Sequence, residues 1–267
     1  MRCGIVVAAV YDRRRFGTNV EMPTVIDRRY SDDMPVPNAY SSRWFEFFHL
    51  SIAETRTEKE VAFICGCAPQ PQFRKVLDVC CGIGRHARAL ARRGYAVTGL
   101  ERDPVAIGKA REMEGGPGYI QANVRDYRFE AAEYDLAIVM SQSFGYFDAA
   151  GNRDLLQWLR NGIRHGGRII LDLWNPEFFA AHQGQRDLQT QAGLVHETKR
   201  LEGNRLFVTL DYPHGEGDDF EWQLFAPSEM RSLGESVGLH VTIACTDFDP
   251  ATGPSPEKPR IQFVLQK

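Results

Sequence analysis

The sequence lacks two features that would place the protein at a membrane or on a nucleic acid. No apolar run approaches the roughly 20 residues that a membrane-spanning helix needs. Positive charge is not in excess either, since 32 Lys and Arg face 35 Asp and Glu and leave a net charge of −3. Surfaces that bind nucleic acid usually carry a basic stripe. We therefore expect neither a membrane nor a nucleic acid as a partner.

The sequence also lacks the cysteine spacing of a structural metal site. Its six cysteines, at positions 3, 65, 67, 80, 81 and 245, include no pair separated by two residues. The apolar stretch 3–10 precedes the charges at 12–15, which is the reverse of a secretory signal. These absences predict free thiols, no bound metal and a cytoplasmic location.

What is present is the composition of a globular domain, with 43% hydrophobic and 25% charged residues. Pro35 and Pro37 mark a boundary, so we predict a poorly ordered tail over residues 1–34 and one domain over 35–267. Strands predicted at 76–79, 95–100, 118–121, 134–140 and 168–173 alternate with helices at 85–93, after Asp103 and at 152–164. Such alternation predicts a parallel sheet with helices on both faces.

The pattern changes after Pro176. Three short segments, 194–199, 205–212 and 220–225, have strand character and are separated by turn residues. A helix at 227–238 and strands at 239–245 and 261–266 follow. Because the three segments come directly after the fifth strand, we expect residues 177–226 to form a small antiparallel lid at the ligand-binding edge of the sheet.

The most informative segment is the run from Val76 to His86, a buried strand followed by a glycine turn and a helix start. Asp78 lies inside the strand, directly before the turn. This order predicts a crevice lined by backbone N–H groups, a helix N-terminus and one carboxylate. Glu101 ends the next strand, where a carboxylate can accept hydrogen bonds from ribose hydroxyls. The ligand should be a nucleoside that carries both negative and positive groups.

The glycine turn leaves two cofactor classes open. Gly82 to Ala87 matches the G-x-G-x-x-A pattern of nicotinamide dinucleotide enzymes, which keeps an NAD(P)-dependent oxidoreductase as an alternative. Cys80 and Cys81 separate the strand from the first glycine, however, and Asp78 would repel a pyrophosphate. An amine-bearing ligand suits that carboxylate better.

The chain resembles the class I S-adenosylmethionine-dependent methyltransferases, in particular a small-molecule subgroup. The similarity rests on Val76–His86, on Gly99–Asp103, on Gln121–Asp126 and on Ser141–Phe147. It implies an α/β fold, Rossmann-like, with a seven-stranded, mostly parallel sheet, helices on both faces and the antiparallel lid after strand 5. It also implies S-adenosyl-L-methionine as cofactor. A cofactor-binding protein without catalysis stays open.

The resemblance assigns cofactor contacts to individual positions. Gly82 and Gly84 would approach the methionine part, Asp78 its amino group, Glu101 the ribose, and Arg102, Asn123 and Val124 the adenine. The full set of expected cofactor-binding residues is Tyr40, Trp44, Asp78, Cys80, Gly82, Gly84, Glu101, Arg102, Asn123, Val124, Met140 and Ser141. Met140 and Ser141 would line the sulfonium side. Tyr40 and Trp44 would close over the cofactor, although they fit a core stripe of one helix equally well.

The expected reaction is methyl transfer to an oxygen or nitrogen of a small-molecule acceptor, with a homodimer as the assembly to test. Tyr146 and His49 are the candidate bases, needed only if the acceptor must lose a proton. Trp174, Phe178 and Trp222 are the candidate acceptor contacts, with Phe179 and Phe225 as further wall candidates. Asn175-Pro176 resembles a motif of enzymes that methylate nucleic-acid bases, but that motif belongs after the fourth strand, so we reject a nucleic-acid substrate.

Overall fold

The computed structural model describes Asn38 and residues 40–48, 52–113 and 115–267. The predicted tail at 1–34 and the candidate base His49 lie outside these residues. In chain order the elements are α1 (Ser42–Phe48), α2 (Glu54–Cys67), β1 (Lys75–Val79), α3 (Arg85–Arg92), β2 (Ala96–Glu101), α4 (Pro104–Glu112), β3 (Gly118–Gln121), β4 (Tyr134–Val139), α5 (Ala149–Gly162), β5 (Ile163–Trp174), α6 (Pro176–Ala181), β6 (Gly184–Gln189), β7 (Leu194–Glu202), β8 (Arg205–Asp211), β9 (Gly217–Gln223), α7 (Pro227–Ser236), β10 (His240–Cys245) and β11 (Arg260–Gln266). Within the described part of the chain, no helix combines the length and apolarity needed to cross a bilayer.

Seven strands form the main sheet in the order β10-β11-β5-β4-β1-β2-β3. The strands β1 to β5 are parallel, whereas β11 runs antiparallel to both β5 and β10. The strand order reverses at β1, since β2 lies on one side of it and β4 on the other. Open α/β sheets bind ligands at the carboxyl ends of the strands on both sides of such a switch point. The predicted α/β fold with a mostly parallel seven-stranded sheet is confirmed.

Local sequence explains where the elements around this switch point begin. Residues 76–79 of β1 are all buried, as expected for a central strand covered on both faces. Asp103 caps α4 by accepting hydrogen bonds from two backbone N–H groups, and Pro104 occupies the first helical position. Gly84 precedes α3 with φ of 75°, and Tyr119 lies where a side chain at this position would point.

A separate antiparallel sheet has the order β6-β7-β8-β9 and follows β5, which confirms the second sheet predicted after strand 5. Sequence reasoning missed α6 and β6. The helix α6 begins with the Asn175 cap and Pro176, the same signal that identified α4. Five of the six residues in β6 are exposed, so this strand lacks the apolar alternation on which strand prediction depends.

The boundary between α5 and β5 differs from the prediction. We predicted a helix at 152–164, whereas α5 spans Ala149–Gly162 and β5, which contains Gly166 and Gly167, starts at Ile163. Ile163 pairs with Tyr134 of β4, and the Gly166 N–H donates to the carbonyl of Lys267. Pairing with distant strands thus extends β5 through the glycines, which a local pattern cannot reveal.

Candidate active site

Asp78 lies at the carboxyl end of β1, 1% exposed, on the face of the sheet covered by α3. Its Oδ2 atom has no hydrogen-bond partner among the described residues. Burial raises the pKa of the Asp78 carboxyl to about 7, although the positive charge of Arg85 and the N–H of Ala87 oppose the shift. A buried carboxylate with one unused oxygen is a receptor for a cationic hydrogen-bond donor.

The turn after β1 leaves open space above its first glycine. Cys80 has φ of 56° and Gly82 has φ of 55°, and no atom lies within 4 Å of the position that a Cβ of Gly82 would take. Ligand atoms can therefore approach the backbone here. Burial raises the pKa of the Cys80 thiol, so Cys80 contributes an uncharged side chain.

Glu101 joins the glycine turn to the end of β2. Its Oε2 accepts from the Gly82 N–H at 2.9 Å, and its Oε1 accepts from the N–H groups of Arg102 and Asp103 at 2.7 and 3.0 Å. A carboxylate has about four acceptor positions, so about one remains for a ligand hydroxyl. Asn123 and Val124 lie beyond β3, where Asn123 Oδ1 accepts from the Arg125 N–H at 3.0 Å.

The segment before α1 connects the β2 end to the antiparallel sheet. Arg102 Nη2 donates to the carbonyl of Asn38 at 2.8 Å, and the Asn38 side chain pairs with the backbone of Glu221 at 2.6 and 3.0 Å. Tyr40 follows this clamp, and its hydroxyl lies 2.8 Å from that of Tyr146. The structure thus brings Tyr40, at the amino end of α1, together with Tyr146, in the loop after β4.

The loop after β4 contains two consecutive residues in the left-handed region, Ser141 at φ of 57° and Gln142 at 63°. Their N–H groups donate to Asp172, at 3.2 Å to Oδ2 and 2.9 Å to the carbonyl. Asp172 is fully buried and paired with the Arg260 guanidinium from β11. Such backbone conformations cost energy and persist where the surroundings enforce them. Asp172 therefore fixes the position of Ser141, directly after the buried Met140.

Arg85 connects this loop to α2. It donates to Ser141 Oγ at 2.8 Å and to Thr57 Oγ1 at 3.0 Å, and it contacts the Glu60 carboxylate. His86 Nε2 lies 2.7 Å from Glu60 Oε2. Burial opposes ionisation of Glu60, but hydrogen bonds from His86 and Arg85 hold the pKa of this carboxyl below its ordinary value. His86 therefore stabilises the fold at this point.

An aromatic cluster covers the ends of β4 and β5. We define it by Tyr40, Trp44, Tyr146, Trp174, Phe178 and Trp222, which pack in one hydrophobic group. The Trp222 ring lies 4.8 Å from Trp174 and 5.9 Å from Tyr146. All three predicted acceptor contacts thus belong to one cluster that also holds both predicted covering aromatics. Phe225 does not, because it packs against Phe144 in the main core.

Tyr146 and Tyr40 form a pair of neutral phenols in this cluster. Burial raises the pKa of Tyr40 to about 12 and that of Tyr146 well above its ordinary value. A phenol that resists ionisation can hold a ligand by hydrogen bonds. It is a poor base, because only the phenolate form would accept a proton from the acceptor. The structure therefore favours Tyr146 as a positioning group over Tyr146 as a base.

Comparison with known proteins identifies the domain. A family model described as a methyltransferase domain matches residues 76–167. An uncharacterized methyltransferase of Synechocystis sp. is 32% identical over 104 residues, which are 39% of this chain and 49% of that protein. A solved S-adenosylmethionine-dependent methyltransferase from Clostridium acetobutylicum superposes with a TM-score of 0.69 at 13% identity, covering 84% of this chain and 96% of that one. CalS10, an amino pentose methyltransferase of Micromonospora echinaspora with bound S-adenosylmethionine, superposes with a TM-score of 0.64 at 15% identity. The match covers 86% of this chain and 99% of CalS10.

Residues 76–167 match a methyltransferase domain, and the fold is shared with solved S-adenosylmethionine-dependent methyltransferases. The chain spans about half the length of the curated relatives it matches. Three features at the strand ends of the main sheet fit S-adenosyl-L-methionine, the molecule bound in the CalS10 structure. The unused Asp78 Oδ2 suits the ammonium group, the open backbone at Gly82 admits the amino-acid part, and Glu101 keeps an acceptor position for a ribose hydroxyl.

Sequence reasoning missed several residues that shape the candidate site. Asp172 carried the same signal as Asp78, a carboxylate inside an apolar strand, and could have been found that way. Arg85 and Asn38 carried no such signal, because their partners Ser141 and Glu221 are distant in sequence. Asn175, by contrast, is structural, since it caps α6 and donates to the carbonyls of Ser255 and Lys258.

Proposed function

We propose that the protein transfers the methyl group of S-adenosylmethionine to an oxygen or nitrogen of a small-molecule acceptor and releases S-adenosylhomocysteine. One observation carries the proposal. Asp78 offers an unused carboxylate oxygen at the end of β1, and the aromatic cluster stands over the neighbouring ends of β4 and β5. A cofactor at β1 and β2 and an acceptor at β4 and β5 would then meet at the switch point.

When bound, the cofactor supplies an electrophilic methyl group on a sulfonium. The acceptor lone pair forms the new bond to the methyl carbon, the carbon–sulfur bond electrons remain on sulfur, and the acceptor proton leaves to solvent or a base. Because the leaving group is neutral, alignment and exclusion of water supply most of the acceleration. Among this chain's residues, Asp78 and Glu101 would anchor the cofactor, with Arg102, Asn123 and Val124 near the adenine and Met140 and Ser141 near sulfur.

The acceptor side is assigned to the aromatic cluster. Trp174, Phe178 and Trp222 would form the walls, and Tyr40 with Trp44 would cover the reacting atoms. Tyr146 would hold the acceptor through its hydroxyl, while His49 remains the candidate base. The fold shared with an amino pentose methyltransferase supports a small polar acceptor as the first case to examine.

The proposal is tested by incubating the protein with S-adenosylmethionine that carries a radiolabelled methyl group and with panels of small amines and alcohols. Transfer of label to an acceptor, with S-adenosylhomocysteine formed in equal amount, is the expected result. Tight binding of S-adenosylmethionine without transfer to any member of a broad panel would instead favour a cofactor-binding protein without catalysis.

A further inference from the structure

Ser141, in the loop after β4, is held from two sides. Its backbone N–H donates to Asp172 Oδ2 on β5 at 3.2 Å, and its φ of 57° lies in the left-handed region. Its Oγ accepts from Nη2 of Arg85, the first residue of α3, at 2.8 Å. A residue other than glycine keeps such a backbone conformation where its surroundings enforce it. The Ser141 side chain is therefore held in one position at the edge of the sheet.

The helix α2 fixes Arg85 in turn. Glu60 is fully buried, and its Oε2 contacts the Arg85 guanidinium. Thr57, one turn earlier in the same helix, accepts from Arg85 Nη1 at 3.0 Å. Arg56 also contacts the Glu60 carboxylate, at 2.9 Å, but through the other oxygen. Arg85 thus uses one terminal nitrogen to attach to α2, and the other reaches Ser141.

The contact with Arg85 decides which hydrogen-bonding role Ser141 can take towards a ligand. A guanidinium only donates, so the Ser141 oxygen is the acceptor in this pair. The hydroxyl also carries one hydrogen of its own, and no hydrogen-bond acceptor takes that hydrogen among the described residues. A bond from a charged donor polarises the hydroxyl and strengthens its hydrogen as a donor. Ser141 should therefore donate to a ligand oxygen.

Ser141 and Asp78 come from neighbouring strands. Asp78 of β1 is paired with Ile138 of β4, and Ser141 follows Ile138 by three residues, at the carboxyl edge of the sheet. Burial raises the pKa of the Asp78 carboxyl, and the positive charge of Arg85 opposes that rise, so Arg85 acts on Asp78 as well. This edge offers a carboxylate oxygen without a described partner at Asp78 and a hydroxyl donor at Ser141.

We propose that Ser141 donates a hydrogen bond to the carboxylate of the cofactor's amino-acid part, and that Arg85 is the positioning residue that holds Ser141 for this contact. The inference rests on the proposed function and deepens it, because it assigns the second charged group of the amino-acid part whose ammonium is assigned to Asp78. An α-amino acid carries both groups on one carbon. A ligand bound to Asp78 through its ammonium therefore brings its carboxylate to the same region of the sheet edge.

The test compares two ligands that differ only in the carboxylate, S-adenosylhomocysteine and its decarboxylated analogue, which keeps the amine. In calorimetric titrations of the full chain, Ser141→Ala should weaken binding of S-adenosylhomocysteine about tenfold and leave binding of the analogue unchanged. Arg85→Met should produce the same selective loss, whereas Asp78→Asn should weaken both ligands. Arg56→Met is the matched control, because it removes the other arginine from Glu60, and it should change neither affinity.

Arg85 should act through Ser141. In the double variant Ser141→Ala, Arg85→Met, S-adenosylhomocysteine should bind about as weakly as in either single variant, because both changes remove the same interaction. Arg85→Lys is the second variant for the case that Arg85→Met does not fold. It keeps a positive charge for Glu60 but has one nitrogen where Arg85 uses two, so it should fold and show the same selective loss.

Unchanged affinity for S-adenosylhomocysteine in Ser141→Ala, or an equal loss for the decarboxylated analogue, would overturn the carboxylate contact. Losses that multiply in the double variant would overturn the positioning role of Arg85. If wild type did not bind S-adenosylhomocysteine at all, the proposed function would fail first. The wild-type titration thus distinguishes failure of the proposed function from failure of this inference.

Discussion

The strand ends proposed to hold the cofactor and the aromatic cluster proposed to hold the acceptor lie at one edge of the main sheet, yet they come from different parts of the chain. Asp78, Gly82 and Glu101 lie within one strand–helix–strand unit, and backbone N–H groups fix Glu101. Tyr40, Tyr146, Trp174 and Trp222 come from separate segments and are held by their mutual packing. Cofactor binding should therefore respond to local changes, whereas acceptor binding should respond to how the antiparallel sheet is docked.

The largest effect is expected from Glu101→Ala. This change removes the acceptor for the ribose and also the partner of the Gly82 N–H. Loss of hydrogen bonds to a charged group predicts a fall in cofactor affinity of about 100-fold. Calorimetric titration with S-adenosylhomocysteine measures it, and Glu112→Ala, at the exposed end of α4, is the control. An unchanged affinity in Glu101→Ala would mean that the ribose assignment is wrong.

Asp78→Asn should weaken cofactor binding about tenfold or more at pH 8, because the ammonium loses its charged partner. The pKa of the free carboxyl is about 7, so wild-type affinity should fall as pH drops below this value, and the variant should not show this dependence. S-adenosylhomocysteine should bind wild type more tightly than methylthioadenosine, which lacks the amine, and this difference should shrink in the variant. An affinity difference between the two ligands that is as large in Asp78→Asn as in wild type would contradict the role of Asp78.

The same substitution should affect stability in the opposite direction. The folded pKa of Asp78 lies above its ordinary value of 3.8, so ionisation costs stability as pH rises towards and through 7. Without cofactor, Asp78→Asn should therefore melt at a higher temperature than wild type at pH 8, and the difference should decrease in acid. Thermal unfolding across this pH range measures it. A variant less stable than wild type at pH 8 would show that Asp78 has a stabilising partner in the free protein.

Docking of the antiparallel sheet is tested by Gly145→Ala. Gly145 has φ of 101°, and an added Cβ would collide with the carbonyl oxygen of Gln223 in β9. We expect KM for the acceptor to rise about tenfold while cofactor affinity is retained, because β9 carries Trp222. Gly203→Ala is the matched control, since Gly203 also has positive φ but no neighbour near its Cβ. If Gly145→Ala weakened cofactor binding as much as acceptor binding, the cofactor and acceptor regions would not be independent of each other.

The smallest effect is expected from Tyr146→Phe. A neutral phenol that positions the acceptor should contribute about one ordinary hydrogen bond, so kcat/KM should fall about 3- to 10-fold. The pH dependence of kcat should not move, because the pKa of Tyr146 lies well above its ordinary value. Tyr40→Phe, which removes the other hydroxyl of the pair, is the comparison variant. If Tyr146→Phe removed one limb of the pH profile of kcat, the result would show that Tyr146 acts as a base.

The same contrast explains what sequence reasoning could reach. The parallel sheet, the Asp103 cap and the glycine turn depend on neighbouring residues, and the structure contains all of them. The strand order β6 to β9 of the antiparallel sheet could not be predicted from local sequence, because β6 is exposed and its sequence has the polar pattern of a loop. Contacts such as Arg85 with Ser141 or Asn38 with Glu221 join segments far apart in sequence, so no spacing rule predicts them.

The most direct test of the cofactor assignment is calorimetric titration of the wild-type protein with S-adenosylhomocysteine and, separately, with NAD. The arrangement of Asp78, Gly82 and Glu101 predicts saturable binding of S-adenosylhomocysteine at one site and no binding of NAD, whose pyrophosphate would meet the Asp78 carboxylate. Saturable NAD binding, with none for S-adenosylhomocysteine, would contradict it.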